Sequence, residues 1–387
     1  MTWYRITPLD VLLFRDSRPF SPTDGSWAKG LFPPLPITVF HGLRSLLNPR
    51  TSKAERTNRN LRFLGPFLCD SNGNLWLPTP KDLVCLYPDG VGAKQSSNRW
   101  EAVRRLKPAP EDEQWQHLAF DNTHPAPMVT PYEVYQETLQ AKQRIGAPQP
   151  WIQAKYLAEY LDGQEATWNP KEIEAKPLFH PNPWDLQIMP HIQMQSGTRQ
   201  VQDADGYFTE VAVRMQPGWH FVAQFDSPDE APPEQGVIRL GGEGHRAMVE
   251  QIPEPPGWKT LSGFETNGGD RIRAYVLTPG LALAADDKPI YASYPNPWRD
   301  HLAGCATDRQ LMWGGISAIA RGQQAQTEDK EPDEVAYIPQ RAFVPPGTVY
   351  AFKSLPEQIK LLPEENSRKG LKTFEMLNYG KLLWGVR

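Results

Sequence analysis

Hydrophobic and polar residues alternate at the start of the chain. Over residues 3–7, Tyr4 and Ile6 fall on one side and Arg5 and Thr7 on the other. A period of two residues is the pattern of a half-buried β-strand. The sequence therefore predicts that the fold begins with a strand.

The hydrophobic period changes after a proline-rich stretch at residues 30–36. Over residues 37–47, apolar side chains recur at spacings of three and four residues, which predicts a helix with one apolar face. His41 and Arg44 fall on the polar face of this helix. The first unit is thus a strand, a connecting loop and a helix.

The loop between this strand and helix carries concentrated charge. An apolar, strand-like run at residues 11–14 is followed by Arg15, Asp16 and Arg18 and then by a proline. The aspartate could simply pair with the arginines. Alternatively, the arginines contact phosphates while Asp16 fixes their geometry, because the planar guanidinium fork suits phosphate. The residues alone leave both interpretations open.

Strand patterns return in the middle of the chain. An apolar run at residues 186–194 and an alternating run at 207–215 predict a long β-hairpin, and residues 219–225 predict a further strand. A polar tip, residues 196–206, separates the first two runs and includes Arg199. Ordinary hairpin loops need about two to five residues, so a tip of this length predicts a protruding arm.

A glycine-rich turn between two further strand patterns is the most informative turn of the sequence. It contains Gly241, Gly242 and Gly244, followed by His245 and Arg246. Glycines at this density let the backbone pass close to a ligand, and consecutive N–H groups can form an anion-binding nest. The turn has neither the GK[ST] of a P-loop nor the GxGxxG spacing. Taken alone, it is more typical of a flexible hairpin turn with an exposed arginine.

The order of elements partly restarts after residue 257. Residues 271–279 alternate and end a strand with Thr-Pro, as residues 3–8 do. Two halves of partly similar order predict two α+β domains, residues 1–255 and residues 256–387. Proline makes up 40 of the 387 residues, about twice the average usage, so we expect long proline-rich insertions in these domains.

Charge is distributed unevenly along the chain. The net charge is −4, but residues 1–110 hold 16 Lys and Arg against 8 Asp and Glu, whereas the remaining residues hold 25 against 37. Such asymmetry predicts a basic surface for a polyanion and an acidic surface for another partner. Long insertions that happen to be acidic would give the same counts.

The three cysteines, Cys69, Cys85 and Cys305, are scattered and form no CxxC pair. This pattern is typical of a reducing cytoplasm and predicts neither a zinc site nor a disulfide framework. The sequence has no stretch of about 18 apolar residues that would predict a membrane span, and its N-terminus lacks the apolar core of a signal peptide. We therefore expect a cytoplasmic protein without a metal or another cofactor.

The sequence shows no catalytic motif. His41 could serve as a general base for RNA cleavage, but no second histidine lies at a motif spacing from it. His191, His220 and His245 lack the HxH or HExxH spacing of metal ligands, and the sequence contains no GxSxG. We expect a binding protein rather than an enzyme.

Several segments together resemble the RAMP superfamily of CRISPR–Cas proteins and, more narrowly, the third-subunit family of type III-B (Cmr) effector complexes. They include ITPLDVLLFRDSRPF near the N-terminus, LGGEGHRA in the middle and YGKLLWGV at the end. Each motif is only moderately specific, but the ordered set is more so. In chain order, the segments that carry the resemblance are residues 5–20, 34–47, 77–84, 240–247, 274–280, 343–352 and 379–386.

This resemblance implies a fold and a role. The fold would be two ferredoxin-like (RRM-like) domains with a β-hairpin thumb and a glycine-rich loop. The role would be that of a non-catalytic crRNA-binding subunit in antiviral defence. It would hold the repeat-derived 5′ handle of the crRNA, dock on the large cyclase-like Cmr subunit and contact the neighbouring backbone RAMP subunit.

The resemblance also implies a set of RNA-binding residues. These belong to the basic loop, the first helix, the thumb tip and the glycine-rich loop. One departure from the family pattern is Glu243, a carboxylate inside the glycine-rich loop, which would weaken phosphate binding unless it points at Arg246 or a base edge. The implied residues are Arg15, Arg18, His41, Arg44, Arg199, Gly241, Gly242, Gly244, His245 and Arg246.

Two other functions compete with this one. A metal-independent RAMP endoribonuclease that processes crRNA precursors would cleave repeat RNA without metal and would depend on His41. An enzyme that uses the glycine-rich turn as a phosphate loop would bind or turn over nucleotides. A scaffold subunit would bind the RNA without cleaving it.

Overall fold

A computed structural model describes most of the chain, with gaps that include the basic loop and the tip of the long hairpin. The described residues are 2–14, 27–28, 30–48, 60–89, 99–118, 125–170, 177–192, 197, 200, 207–267, 271–284, 288–318, 335–362 and 369–386.

The largest layer is an eight-stranded sheet in which every pair of neighbouring strands is antiparallel. Strands and helices are numbered here in chain order. In spatial order, the strands are β11 (Phe179–His180), β10 (Trp151–Gln153), β4 (Leu75–Pro78), β3 (Arg62–Cys69), β14 (His220–Asp226), β1 (Thr2–Pro8), β16 (Arg246–Ile252) and β15 (Gln235–Arg239).

The first helix, α1 (Pro36–Arg44), connects β1 to β3. It begins at a proline, whose fixed φ suits the first helical position. It ends three residues before the predicted limit, where the Ser45 hydroxyl donates to the carbonyl of Gly42. The predicted strand and helix are both confirmed, the helix with this shorter end.

A four-stranded antiparallel sheet forms the other large layer. Helix α5 (Lys369–Met376) precedes its last strand in the chain. If its four strands are numbered from one to four along the chain, they lie side by side in the sheet in the order four, one, three, two. In that order, the strands are β23 (Leu382–Gly385), β17 (Arg273–Val276), β22 (Val349–Phe352) and β19 (Leu302–Ala306).

The centre of the eight-stranded sheet repeats this order. Its strands β16, β1, β14 and β3 are also the fourth, first, third and second of their group in the chain. Helices combined with mostly antiparallel sheets agree with the predicted α+β class. None of the helices in the described part of the chain is both long and apolar enough to cross a membrane.

The predicted long hairpin is confirmed as β12 (Trp184–Ile192) and β13 (Tyr207–Met215), which pair along their whole length. The short strand β2 (Trp27–Ala28) adds to β13 in parallel. Only residues 197 and 200 of the predicted tip are described. Arg199, the predicted phosphate contact, lies outside the described residues.

The remaining elements form smaller layers around the two large sheets. The strands are β18 (Gly280–Leu281), β21 (Val335–Val344) and β20 (Leu311–Ala318) in one sheet, β6 (Ala102–Arg105), β5 (Leu83–Tyr87) and β9 (Arg144–Gly146) in another, and β7 (Lys107–Pro108) with β8 (Met128–Val129). The other helices are α2 (Tyr132–Gln140), α3 (Ala154–Leu161) and α4 (Pro256–Ser262).

The core covers both faces of the eight-stranded sheet. On one face, Tyr4 and Ile6 pack with Phe40 of α1. On the other face, Trp3 lies 5.5 Å from Trp258 of α4, measured between ring centroids. Because side chains of a strand alternate between faces, residues of β1 contribute to both halves of the core.

A buried polar network joins strand β17 of the four-stranded sheet to helix α3 and to Asp82, the residue before β5. Asp82, which is 0% exposed, accepts hydrogen bonds of 2.7 Å from the Arg273 guanidinium of β17 and from the Tyr160 hydroxyl of α3. Arg105 donates to the carbonyl of Tyr160 and to the carboxylate of Glu165. These charges are paired in the interior, as buried charges must be.

Candidate nucleic-acid interface

The last residues before the basic loop lie between the long hairpin and the glycine-rich turn. Leu12 and Val213 of β13 exchange two backbone hydrogen bonds of 2.8 Å. The Leu13 carbonyl accepts a 2.8 Å bond from the Gly242 N–H. Arg15 and Arg18 lie outside the described residues, but Phe14, the last described residue before them, belongs to this junction.

Glycine is required at position 241 because the two segments approach closely. Gly241 has φ +90°, and a Cβ atom there would overlap the Leu13 carbonyl oxygen. Gly244 has φ +79° but no atom within 4 Å of its Cβ position. The first glycine therefore allows the turn to pack on the stem of the basic loop, and the second only allows the turn to form.

Two N–H groups of the turn are engaged within the protein. Gly242 donates to Leu13, and His245 donates to the carbonyl of Gly242. Glu243 adopts φ +52°, a left-handed conformation that is uncommon for residues other than glycine. The turn therefore uses part of its hydrogen-bonding capacity within the protein.

A buried carboxylate joins the turn to the hairpin. Glu210 of β13 is 0% exposed, and its two oxygens lie 2.9 Å from Nε2 of His191 and 2.9 Å from Nε2 of His245. His191 belongs to β12 and His245 to the glycine-rich turn, so this carboxylate fixes the half of the hairpin nearer its tip against the turn. No motif or spacing in the sequence indicates Glu210 as part of a site.

The first helix packs against the buried face of the glycine-rich hairpin. A Cβ atom on Gly42 would lie 3.0 Å from Cδ1 of Ile238 and 3.3 Å from the carbonyl oxygen of Arg239. His41 and Arg44 are exposed on the far side of α1. Partial burial and the nearby Arg44 guanidinium lower the pKa of His41, which favours its neutral form at pH 7.

The hairpin that carries the glycine-rich turn places a second arginine beside Arg246. Arg239 and Arg246 are directly opposed in the register of β15 and β16, and both are exposed. Their neighbours Ile238 and Ala247 are buried with α1. The two arginines therefore occupy the open face of the sheet, and His41 and Arg44 lie on the other side.

The structure thus brings the glycine-rich turn and the stem of the basic loop together, whereas it places His41 and Arg44 on the other side of the sheet from Arg246. The stem of the basic loop, the glycine-rich turn and the base of the hairpin meet at one end of the eight-stranded sheet. Arg239 is an addition that the alternation of residues 237–239 could have indicated, because it shares a strand face with Val237.

The sequence of the whole chain matches one protein family. A family model described as CRISPR-associated protein (Cas_Cmr3) matches residues 4–387. The chain belongs to this family. Membership of the Cas_Cmr3 family confirms the predicted resemblance to CRISPR–Cas proteins of type III-B. No curated protein matches the sequence.

Comparison with solved structures gives chains from type III-B complexes. A chain from a cryo-EM structure of the type III-B Cmr-beta bound to cognate target RNA has a TM-score of 0.51 and 14% identity, over 98% of this chain and 96% of that chain. A second chain comes from Cmr-beta bound to cognate target RNA and AMPPnP. It has a TM-score of 0.48 and 13% identity, over 90% of this chain and 86% of that chain.

Proposed function

We propose that this protein is a non-catalytic RNA-binding subunit of a type III-B CRISPR interference complex and that it holds the repeat-derived 5′ handle of the crRNA. One observation carries the proposal. Three elements predicted to contact RNA, namely the basic loop, the glycine-rich turn and the long hairpin, have their described bases joined by hydrogen bonds. A sharply turned single strand offers phosphates and unstacked bases to such a junction.

The strand order supports two ferredoxin-like domains, residues 1–255 and residues 256–387. Each large sheet contains the order fourth, first, third, second with antiparallel neighbours. A helix follows the first strand in the earlier group, and a helix precedes the last strand in the later group. Each group therefore contains one of the two helices of a split β-α-β arrangement, which supports the proposal.

Exposed apolar residues support a role for the long hairpin in assembly. Leu186, Ile188 and Ile192 are exposed on one face of β12. Contiguous apolar patches on a protein surface are typical of interaction sites. In this proposal, the hairpin is the thumb, which meets the neighbouring backbone RAMP subunit, and the acidic remainder of the chain supplies the contact with the large cyclase-like subunit.

Substitution of Arg15 and Arg18 by alanine tests the phosphate role of the basic loop. Each substitution is expected to weaken binding of handle-bearing RNA. Because each phosphate contact to a single strand contributes roughly 0.7 to the salt dependence of the binding constant, each lost contact should reduce the slope of log K against log salt by about this amount. Fluorescence anisotropy over a salt series measures the slope.

Arg104→Gln provides the control, since Arg104 belongs to the separate sheet of β5, β6 and β9. It removes one positive charge far from the junction. If the Arg15→Ala/Arg18→Ala double variant keeps the slope of the unsubstituted protein, the basic loop does not bind phosphate. Intact RNA after prolonged incubation is the expected result for a subunit without nuclease activity.

A further inference from the structure

The open face of the glycine-rich hairpin carries a pair of like charges that none of the described residues neutralises. Arg239 and Arg246 are directly opposed across β15 and β16. Neither has an ion-pair partner among the residues that the structure describes. Like charges directly opposite each other destabilise a strand pair, so this hairpin is less stable without a ligand than it could be.

The nearest carboxylates on this face are already engaged. Glu250, four residues along β16, lies 3.6 Å from Arg5 of β1. Glu243 of the turn also has an interaction of its own. Within the described part of the chain no carboxylate pairs with the two arginines, so both are available to an external anion.

Exposed apolar residues lie next to the two arginines on the same face of the sheet. Val237 and Met248 form the next opposed pair on the same face, and they are 57% and 38% exposed. Leu9, which is also exposed, is held beside Arg246 by the bond from its N–H to the Arg246 carbonyl. Charge and apolar surface in adjacent rows suit a nucleotide, whose phosphate is anionic and whose base and ribose have apolar faces.

We propose that Arg239 and Arg246 together bind one phosphate of a single-stranded RNA, while the adjoining ribose or base lies against Val237 and Met248. This inference rests on the proposed function and adds a site to it. Opposed residues of a strand pair have Cβ atoms about 5 Å apart, so two guanidinium forks can converge on one phosphate group. Bidentate binding of phosphate is the geometry that arginine favours.

The test compares Arg239→Gln, Arg246→Gln and the double variant with the control Arg104→Gln, using handle-bearing RNA and the full-length chain. Each single variant should bind about tenfold more weakly, because charge-assisted hydrogen bonds are lost. Since both arginines hold one phosphate, the loss in the double variant should be smaller than the product of the single losses. Its salt slope should fall by about 0.7.

Stability measurements separate this site from a structural role. Removing one arginine relieves the like-charge repulsion, so the single variants should unfold at the same temperature as the unsubstituted protein or at a higher one. A variant that binds RNA less well because it is damaged would unfold at a lower temperature. That result would overturn the inference.

Further outcomes distinguish failure of the Arg239–Arg246 site from failure of the proposed RNA-binding function. If the unsubstituted chain binds no handle RNA, the proposed function fails and this site fails with it. If the unsubstituted chain binds RNA and the double variant binds it like Arg104→Gln, the site is refuted and the function stands. If the double variant keeps its RNA affinity but no longer assembles with partner subunits, the arginines contact an acidic protein, and the inference is also overturned.

Discussion

Replacing Asp82 by alanine is expected to lower the free energy of unfolding by about 3–5 kcal/mol, the usual effect of breaking a buried ion pair from one side. The substitution leaves the Arg273 guanidinium, whose side chain is 7% exposed, as an uncompensated buried charge. It also removes the acceptor of the Tyr160 hydroxyl. Denaturant unfolding followed by tryptophan fluorescence measures the change.

The adjacent residue provides a matched control. Lys81 forms a 2.9 Å ion pair with Asp308, but the two side chains are 33% and 62% exposed. Exposed pairs contribute at most about 1 kcal/mol, so Lys81→Ala should have a small effect. If Asp82→Ala destabilises the protein no more than Lys81→Ala does, the buried network does not stabilise the fold.

A double substitution distinguishes two causes of instability. One is the loss of the attraction between Asp82 and Arg273, and the other is the unpaired buried charge that remains on Arg273. Replacing both partners of a buried ion pair by apolar residues is often nearly neutral. Asp82→Leu combined with Arg273→Met should therefore give a more stable protein than Asp82→Ala alone. A double variant less stable than the single one would show that the attraction itself accounts for the stability.

Gly241→Ala is expected to have the second large effect, because it forces the glycine-rich turn away from the basic loop. The added Cβ would overlap the Leu13 carbonyl oxygen in a backbone conformation at φ +90°. Strained conformations cost about 1–3 kcal/mol each, and displacement of the turn also breaks the Gly242–Leu13 hydrogen bond. We expect both the free energy of unfolding and the affinity for handle RNA to fall.

Gly244→Ala separates the steric cost from the conformational cost. Gly244 has a similar φ of +79° but open space around its Cβ position. The left-handed conformation alone costs roughly 1–2 kcal/mol for alanine, and the contact with the basic loop is kept. Gly241→Ala should therefore weaken RNA binding more than Gly244→Ala does. Equal losses of affinity would contradict the proposed packing of the turn on Leu13.

Local patterns predicted the regular elements well, because they depend on residues close together in sequence. The strand at residues 3–7 and the helix that begins near residue 36 both follow from hydrophobic period. The end of that helix was predicted too late, because leucines at positions 46 and 47 continue the apolar pattern after the backbone has left the helix. Periodicity reports which side chains are apolar, and it does not report where the backbone hydrogen bonds end.

Contacts between distant segments could not be predicted in this way. Glu210 lies on the strand face opposite to Tyr207, Val211 and Val213, so alternation would place it in solvent, yet it is fully buried. It is buried because the glycine-rich turn, 35 residues away, supplies His245 as a partner. Asp82 and Arg273 are 191 residues apart, and no local pattern relates them.

In the candidate site too, local patterns predicted the motifs but not the contacts between them. The sequence indicated the glycine-rich turn and the basic loop as separate motifs, each with an ordinary alternative explanation. It could not show that Leu13 and Gly242 are in contact, and alternation alone indicated no more than the strand face of Arg239. That residue gains its importance from strand register, which places it opposite Arg246.

The most direct test of the central claim is ultraviolet crosslinking of the assembled effector complex with its native RNA. Crosslinked peptides of this chain are identified by mass spectrometry, and the attached nucleotides are sequenced. The proposed function predicts crosslinks within residues 9–31 and residues 239–246, attached to the constant repeat-derived 5′ nucleotides. Crosslinks confined to other parts of the chain, or attached only to the variable guide nucleotides, would contradict it.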